Sequence, residues 1–342
     1  MTRSPVLESL PVAAAPMAGG PTTLALAAAV AGEGAFPFLP GGYRDVADLA
    51  ADVADLRRRV TAFGVNLFVP MPRRPPDEGA LRAYAARLRP EAEHHGVDVP
   101  SVGIGAHDDG WPEKLALLRE DPVPVVSFTF GLPDTRDVTT LHRAGTRVLV
   151  TVTTPDEARA AQEIGVDGLV VQGSAAGGHS ATFDPEQLPR PLPTDELVRA
   201  VRAATGLPVV AGGGVHGPES VKRLLRAGAE TVAVGTLLLR TEESGASPTH
   251  KAALADPRFT GTTLTRAFTG RPARSLRNGF IDRHERHAPS GYPEVHLLTR
   301  EIRRAAARAG DPDRLHLWAG TGYRSAPTGP AADVVRQLVA SL

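Results

Sequence analysis

The stretch TRVLVTVTTPDEARAAQEIGVDGLVVQG, residues 146–173, holds one complete strand–helix–strand unit. Its two ends, 146–153 and 166–173, are rich in Val and Leu, whereas the middle, 155–165, is rich in Ala and Glu at helical spacing. The apolar runs are continuous and do not alternate with polar residues, so both strands are expected to be buried on both faces. The stretch therefore predicts two parallel strands joined by a helix.

The same alternation recurs along the first two thirds of the chain. Helix candidates stand at 45–60, 76–88, 155–165, 194–206 and 218–229, and the candidate strands are 11–17, 34–39, 63–69, 99–105, 123–130, 146–153, 166–173, 207–214 and 231–236. Nine strands are one too many for a closed eightfold repeat. The interval between 63–69 and 123–130 is much longer than the later ones, so we interpret 99–105 as an excursion. The pattern then predicts an α/β fold, a (β/α)8 TIM-type barrel.

The rhythm stops after residue 240. Residues 241–312 offer no good strand but include a basic helix candidate at 297–310. We interpret 1–240 as the barrel, 241–312 as a helical cover over the catalytic face, and 313–342 as a segment that returns to the barrel. Within the cover, three arginines recur at a spacing of three, so a helical turn could aim them at one face; the alternative is a solvated charged face. They are Arg271, Arg274 and Arg277.

Composition excludes several functional classes. Lys+Arg and Asp+Glu both number 38, so nothing favours nucleic acid or an anionic membrane as a partner. The chain has no cysteine, which removes disulfides, thiolate nucleophiles and cysteine-bound metals. No signal peptide is visible, and the apolar region 10–31 is interrupted by proline and glycine, so a cytoplasmic protein is expected. The oligomeric state is left open.

Glycine-rich loops follow the last two candidate strands. In barrels, function gathers at the C-terminal ends of strands, and loops after strands seven and eight often bind phosphate. Glycine lets several backbone N–H groups converge on an anion. The predicted phosphate site consists of Gly213, Gly214, Gly235 and Thr236; the alternative is that these glycines only make tight turns.

One histidine stands out among the polar residues at strand ends. His179 follows Gly177 and Gly178 after the strand that ends at Gln172. Small residues there would let a flat ring approach, and imidazole can act as a general base near neutral pH. We therefore predict that His179 is catalytic. We assign no metal ligands, because the His284–His287 segment has no third ligand nearby in sequence and is interpreted as solvated, and the pair His94-His95 carries no functional assignment.

Several sequence blocks together resemble the nitronate monooxygenases of class I, formerly called 2-nitropropane dioxygenases. They run in order along nearly the whole chain: APMAGGP (15–21), GVNLFVP (64–70), SFTFGLP (127–133), VLVTVTT (148–154), VVQGSAAGGHS (170–180), VVAGGGV (209–215), AVGTLLLRTEES (233–244), LTRAFTGRPARSLRN (264–278) and WAG (318–320). The resemblance implies an FMN-dependent barrel enzyme that oxidises alkyl nitronates, and nitroalkanes, with O2 to carbonyl compounds and nitrite.

The resemblance also assigns roles to residues. His179 matches the catalytic histidine of the family, and Thr129 would face the substrate. The positions expected to contact the cofactor are Met17, Ala18 and Gly19 against the flavin, Asn66 and Gln172 as hydrogen-bonding groups, Gly177 and Gly178 at the ring edge, and Gly213, Gly214, Gly235 and Thr236 at the phosphate. FMN is expected and not FAD, because no GxGxxG opens a dinucleotide unit.

The chain departs from the family at four positions. Relatives often carry Gln at Ala14, Glu at Ala175, a second His at Thr129 and Gln at Thr321; these departures bear on the substrate. Three alternatives stay open. The first is a flavin reductase on the same scaffold, either an enoyl-acyl-carrier reductase or an NADH:quinone reductase. The others are a flavin-binding protein without turnover and a phosphate-sugar barrel enzyme.

Overall fold

The computed structural model describes residues 7, 11–70, 77–101, 107–340 and 342. Eight of its strands close into a parallel barrel in the order β1-β2-β3-β4-β5-β6-β8-β9, which confirms the predicted (β/α)8 TIM-type fold. The strands are β1 (Val12–Ala14), β2 (Phe36–Pro40), β3 (Gly64–Phe68), β4 (Val125–Thr129), β5 (Arg147–Val152), β6 (Gly168–Gln172), β7 (Gly178–His179), β8 (Val209–Gly212), β9 (Thr231–Val234), β10 (Thr262–Thr265) and β11 (Ala273–Leu276).

Most of the helices join the barrel strands and cover their outer face, whereas α9, α10 and α11 follow the last barrel strand. They are α1 (Leu24–Gly32), α2 (Val46–Arg57), α3 (Glu78–His94), α4 (Trp111–Glu120), α5 (Thr135–Arg143), α6 (Pro155–Glu163), α7 (Thr194–Ala204), α8 (Pro218–Arg226), α9 (Pro248–Ala253), α10 (Gly279–His284), α11 (Glu294–Ala309) and α12 (Ala331–Val339). Helix α12 contacts α1, α8 and β1. The last helix therefore packs beside the first one and completes the outer ring.

The unit quoted first forms as its residues predict. The Thr154 hydroxyl caps α6 by accepting a hydrogen bond from the Glu157 N–H at 3.1 Å. The Glu157 carboxylate in turn accepts from the hydroxyl of Thr153 at 2.8 Å. These reciprocal bonds fix the start of the helix. Strands β5 and β6 pair in parallel, with Val150 opposite Leu169.

The interval between β3 and β4 holds α3 and α4 and no barrel strand among its described residues. Strand β3 pairs directly with β4, and Leu67 lies opposite Phe128. Of the predicted excursion 99–105, residues 102–106 lie outside the described residues, and 99–101 form coil. The direct pairing leaves no place for another strand between β3 and β4 in the barrel.

Two hydrophobic cores support the cavity described below. The larger one lies between the barrel and its helices, where apolar residues from both layers are fully buried, for example Val150, Leu169 and Val198. The second joins α3 to the C-terminal half of the chain: Tyr84 and Leu88 pack with Phe268, Phe280, Val295, Leu298 and Ile302. The long connection after β3 is therefore part of the cover.

The expectation of no strand in 241–312 is wrong. Strands β10 and β11 pair antiparallel, and β11 also pairs with β7, where Ala273 lies opposite His179. The cover thus combines helices α9, α10 and α11 with a small sheet. Its strands, TTLT and ARSL, lack an apolar run. They are stabilised by pairing with each other and with a loop about ninety residues earlier in the chain. Sequence periodicity cannot reveal such a pair.

Within the described part of the chain, no helix combines the length and the apolar character needed to cross a bilayer.

Candidate active site

A cavity of about 1700 Å³ opens at the C-terminal ends of the barrel strands and extends under the cover. All the residues predicted from the sequence for the site line this cavity: Met17, Ala18, Gly19, Asn66, Thr129, Gln172, Gly177, Gly178, His179, Gly213, Gly214, Gly235 and Thr236. The fold therefore brings them together, as expected for a barrel. Their individual roles remain predictions.

The loops after β1, β6, β8 and β9 form what we call the barrel wall: residues 17–20, 177–178, 212–215 and 235–236. Gly213 and Gly214 have φ values of +115° and +73°, a region that favours glycine. No described residue accepts a hydrogen bond from the backbone N–H of Gly214, Gly235 or Thr236. These three backbone N–H groups, two of them on glycine, fit the terminal phosphate of a flavin mononucleotide.

Close backbone contacts hold this wall in place. A Cβ atom on Gly177 would lie 2.5 Å from the backbone nitrogen of Gly320, so only glycine fits there. The Thr236 hydroxyl accepts a hydrogen bond from the Gly320 N–H at 3.0 Å. The Met17 sulfur would be 3.5 Å from a Cβ on Gly235. The ends of β1 and β9 and the WAG block therefore meet at one place.

Asn66 lies in β3 and is buried. Its amide donates to the hydroxyls of Ser127 and Thr129, both at 2.9 Å, and Thr129 is bonded in turn to Thr151 across 3.2 Å. This chain runs across β3, β4 and β5 on the cavity floor. It fixes the Asn66 side chain in a single orientation, which suits a group that must present its oxygen to a ligand ring.

Two polar bonds fasten the loop that carries His179. The Gln172 amide donates to the carbonyl of His179 at 3.0 Å and accepts from the N–H of Ala181 at 2.8 Å. Gln172 therefore positions this loop, a role that the sequence did not suggest. The resemblance-based contact from Gln172 to the flavin remains a prediction.

The imidazole of His179 lies among aromatic rings. The ring centroids of Phe130, Tyr292 and Trp318 are 5.8, 5.6 and 5.5 Å from its own. Burial, followed by the positive charges of Arg271 and Arg303, lowers the pKa of His179 to about 3. The ring is therefore neutral at physiological pH, and an anion next to it would favour its protonated form.

Thr269 determines which nitrogen of His179 carries the proton. The Thr269 oxygen lies 3.0 Å from His179 Nε2 and 3.3 Å from the carbonyl of Arg271, so it accepts from Nε2 when its own proton goes to that carbonyl. We propose this tautomer, with the proton on Nε2 and the lone pair on Nδ1. A neutral imidazole with a free Nδ1 beside the cavity can accept a proton from a ligand.

Backbone strain is concentrated at this cavity. Among the described residues, three that are not glycine have positive φ: Tyr43 at 65°, Asp109 at 58° and Phe130 at 84°. All three line the cavity. Bulky residues rarely adopt this conformation, and strain of this kind persists where the surrounding structure enforces it, often at functional sites.

The three arginines of the cover do not share a helical face, so the predicted helical turn is wrong. Arg274 lies in β11, where neighbouring side chains point to opposite sides. Arg271 is fully buried, with its guanidinium 3.9 Å from the ring centre of Phe130 and hydrogen bonds to the carbonyls of Ser180 and Thr182. Arg277 is exposed and pairs with Asp282 at 2.7 Å. Only Arg277 fits the solvated alternative.

The interpretation of the His284–His287 segment as solvated is wrong for His284. Its Nε2 lies 2.8 Å from an oxygen of Glu91, which also pairs with Arg283 and Arg314 at 2.6 and 2.7 Å. This cluster lies outside the cavity and joins α3 to α10. Burial alone would raise the pKa of Glu91, but hydrogen bonds from His284 and Arg283 outweigh it and hold the value at about 2.

The histidine pair at the end of α3 faces a carboxylate. Potential ligand atoms of His94, His95 and Asp311 all lie within 4.8 Å of one another. Asp311, however, already accepts a hydrogen bond from Arg314 at 2.9 Å. The guanidinium charge opposes a cation at this position, so we read the group as part of the ion-pair network between α3 and the residues after α11.

A second set of cavity residues was not found from the sequence. We call it the cover wall, and it consists of Tyr292, His296, Arg303, His316 and Trp318. Tyr43 stacks on His296 with ring centroids 4.5 Å apart and an interplanar angle of 2°, which joins the loop after β2 to α11. Two sequence signals lay here, the WAG block that contains Trp318 and the basic character of α11, but neither indicates which arginine faces inward.

A sequence model of the family "Nitronate monooxygenase" matches residues 4–341. The chain belongs to the nitronate monooxygenase family. It is thus a flavin-dependent oxidoreductase that acts on small molecules. The resemblance noted from the sequence blocks is confirmed.

Comparisons with individual proteins support this family assignment. A probable nitronate monooxygenase of Staphylococcus aureus (strain Newman) is 33% identical over 336 residues, which cover 96% of this chain and 93% of that protein. The solved nitroalkane oxidase of Streptomyces ansochromogenes is 46% identical, with a TM-score of 0.93 over 97% of this chain and 95% of that one. FabK from Thermotoga maritima is 23% identical with a TM-score of 0.75 over 98% of this chain and 93% of that one, a likeness of fold.

Two of the four departures from the family pattern are neighbours in space. The N–H of Thr321 donates to the carbonyl of Ala175 at 3.0 Å. A Cβ on Gly214 would lie 3.2 Å from Ala175 Cβ and 3.8 Å from the Thr321 hydroxyl. The two smaller residues therefore stand together beside the barrel wall, whereas Ala14 is buried in β1 and Thr129 lies on the cavity floor.

Proposed function

We propose that the chain is an FMN-dependent nitronate monooxygenase that converts alkyl nitronates, and nitroalkanes, with O2 to carbonyl compounds and nitrite. The observation that carries this proposal is that the ring of His179 lines the same cavity as the glycine-rich loops after β8 and β9, which we propose to bind the phosphate. Family membership supports the same reaction class. The nitroalkane oxidase named above is similar over nearly the whole chain, which favours nitro compounds as substrates.

The barrel wall would hold the cofactor. Gly213, Gly214, Gly235 and Thr236 would surround the phosphate, and Met17, Ala18, Gly19, Gly177 and Gly178 would lie against the ring system. Asn66 would hydrogen-bond to the ring system from the cavity floor. When bound, the flavin accepts electrons from the nitronate and passes them to O2.

His179 would supply the proton chemistry. A nitroalkane is a neutral carbon acid, so it requires a base, and Nδ1 of His179 is the free lone pair that the Thr269 network provides. The proton would move from the α-carbon to Nδ1, while Nε2 keeps its bond to Thr269. A nitronate has already lost this proton and bypasses the step.

The cover would exclude water from the reaction. Its sheet β10-β11-β7 carries His179 on the edge strand β7, and residues of α11 also line the cavity. We propose the division into a barrel, 1–240, a cover, 241–312, and a returning segment, 313–342, with α3 contributing to the cover core.

The decisive experiment identifies the chromophore and compares three substrates. Acid precipitation should release the flavin into the supernatant as FMN, and the purified protein should consume O2 with a nitronate and with its nitroalkane. NADH should not bleach the flavin rapidly. Rapid bleaching by NADH without nitronate turnover would favour the reductase alternative, and a colourless protein would favour a phosphate-sugar enzyme.

A further inference from the structure

We infer that Arg303 is the anion-binding residue of the substrate site, and that its guanidinium contacts the oxygens of a nitronate or of another small planar anion beside His179. The identity of the substrate rests on the proposed function; the presence of an anion site does not. The inference starts from charge. Four arginines line the cavity among the described residues, and Arg303 differs from the other three.

The other three arginines have carboxylate partners. Arg44 pairs with Asp52, and Arg300 and Arg304 both pair with Glu301 at 3.1 and 3.0 Å. Arg303 forms no ion pair with a described residue, although it is only 6% exposed. Burial lowers its pKa to about 10, so it still carries its charge at neutral pH. A buried cation without a counter-ion is costly unless a ligand supplies the negative charge.

The hydrogen bonds of Arg303 leave one end of the guanidinium available. Its Nε donates to the Thr299 hydroxyl at 3.0 Å, and Nη2 donates to the carbonyl of His296 at 2.9 Å and to His296 Nδ1 at 3.2 Å. Nη1 donates to no described residue. The bonds on one side orient the planar group, and the free side remains for a ligand. A planar guanidinium matches an anion with two adjacent oxygens better than an ammonium does.

A short chain of rings connects Arg303 to the proposed base, starting from His296, to which Arg303 is hydrogen-bonded. His296 contacts Tyr292, and Tyr292 contacts His179, with ring centroids 6.3 and 5.6 Å apart. On the other side, His316 contacts Trp318, and Trp318 contacts His179, at 5.2 and 5.5 Å. The charge of Arg303 is close enough to lower the pKa of both His179 and His316.

The titratable rings around Arg303 carry no negative charge that could neutralise it. Burial lowers the pKa of His296 and of His316 well below the ordinary value, so both rings are neutral. Burial also raises the pKa of Tyr43 to about 12, so its hydroxyl is neutral too. The surroundings of His179 therefore combine neutral rings with two positive charges, that of Arg303, which lines the cavity, and that of Arg271, which is buried against Phe130. This favours an anion over a neutral molecule of the same shape.

The test uses the flavin-loaded protein and nitrate as a planar anionic probe. Nitrate binding is followed through the flavin absorbance and through competition with a nitronate. In Arg303→Met, the Kd of nitrate and the KM of the nitronate should both rise about ten- to hundredfold, because a charge-assisted hydrogen bond is lost, while flavin content stays normal. Arg308→Met removes the same charge from the exposed side of α11 and should leave both values unchanged.

A second variant protects the test against misfolding. Arg303→Lys keeps the positive charge but not the planar guanidinium that can donate two parallel hydrogen bonds. It should therefore bind nitrate more tightly than Arg303→Met and more weakly than the wild type. If Arg303→Met does not fold, a nitrate Kd in Arg303→Lys equal to that of the wild type overturns the inference. Equal nitrate binding by the wild type and a folded Arg303→Met, or no binding by either, overturns it as well.

The same measurements separate this inference from the proposed function. If the wild type oxidises no nitro compound but nitrate binding depends on Arg303, the proposed function fails and the anion site stands. If the wild type oxidises nitronates and Arg303→Met keeps both its KM and its nitrate Kd, the anion site fails and the proposed function stands.

Discussion

The barrel wall and the cover wall face each other across one cavity but are built from different chemistry. The barrel wall presents backbone: Gly213 and Gly214 have positive φ, and Gly177 touches the backbone at Gly320. The cover wall presents side chains, with Arg303 and His296 from α11 and Trp318 from a later segment. Backbone recognition suits a cofactor that is common to a family, whereas side-chain recognition can change with the substrate.

His179 stands between the two walls, since it ends the loop of the barrel strand β6 and pairs with the cover strand β11. The comparison predicts that changes in the barrel wall affect flavin retention and that changes in the cover wall affect substrate.

Replacing His179 by Asn should give the largest change in rate. A general base contributes about 10²- to 10⁴-fold to the step that uses it, so turnover of neutral nitroalkanes should fall by a factor in that range. Nitronate turnover should fall much less, and flavin content should remain normal. Steady-state O2 consumption with both substrates measures the two effects. Equal loss of both activities would mean that the ring orients the nitro group and does not take the proton.

Replacing Glu91 by Gln should cause the largest loss of stability. Glu91 is buried and pairs with Arg283, His284 and Arg314. Because Arg283 is half-exposed and Arg314 keeps Asp311 as a partner, the loss of the carboxylate should cost about 2–3 kcal/mol, less than the loss of a fully buried pair. Flavin content at low temperature should remain normal, because Glu91 does not line the cavity. Thermal and urea unfolding measure the loss. Glu78→Gln is the matched control on the same helix, since its pair with Arg82 is exposed and should contribute less than about 1 kcal/mol.

The same carboxylate predicts the pH dependence of stability. The folded pKa of Glu91, about 2, is below its ordinary value of 4.5. The stabilisation is therefore fully present above pH 4.5 and is lost as the pH falls through about 2. The stability difference between the wild type and Glu91→Gln should shrink over that window. A difference that stays constant from pH 6 to pH 3 would contradict the assigned network.

The two walls also differ in what their sequences reveal. Every barrel-wall residue lies in a loop directly after an apolar strand, so counting strands locates it, and the glycines identify its chemistry. The cover wall is assembled from Tyr292, from α11 and from the 316–318 segment. It is supported by a core to which α3 contributes, some two hundred residues earlier in the chain. Arg303 is one of five arginines between 300 and 314, and only burial separates it from Arg300 and Arg304. This wall is formed by the packing of side chains from distant segments, and sequence periodicity does not reveal such contacts.

The strands β10 and β11 illustrate the same limit. Each has four residues, and their pairing partner β7 is two residues of a glycine-rich loop. Arg271, Arg274 and Arg277 looked helical because their spacing of three fits a helix. The pairing of Ala273 with His179 overrides that preference, since tertiary contacts outweigh weak local propensity.

Replacing Gly177 by Ala should disturb the barrel wall. The added Cβ would meet backbone atoms of Ala319 and Gly320 at 2.6 and 2.5 Å, and backbone cannot yield as a flexible side chain can. We expect a cost of about 1–3 kcal/mol and a clear loss of bound flavin. Absorbance of the purified protein measures the flavin content. Gly206→Ala, which has open space and ordinary φ, is the control and should retain its flavin. Full flavin content in Gly177→Ala would mean that the 318–320 segment moves independently of the cofactor site.

The smallest predicted effect concerns Thr269, which joins the two walls through His179. The Thr269 hydroxyl accepts from Nε2 and thereby leaves Nδ1 as the base. Thr269→Val keeps the shape of the side chain but removes the hydrogen-bond acceptor. The His179 ring then loses a bond that contributes about 0.5–1.5 kcal/mol to its orientation, and its tautomer is no longer fixed. Nitroalkane turnover should fall up to about tenfold, and nitronate turnover should change little. Thr269→Ser retains the hydroxyl and should keep the ratio of the two activities near that of the wild type. If Val and Ser give the same ratio, the tautomer is fixed by another group, and Nε2 becomes the candidate for the base.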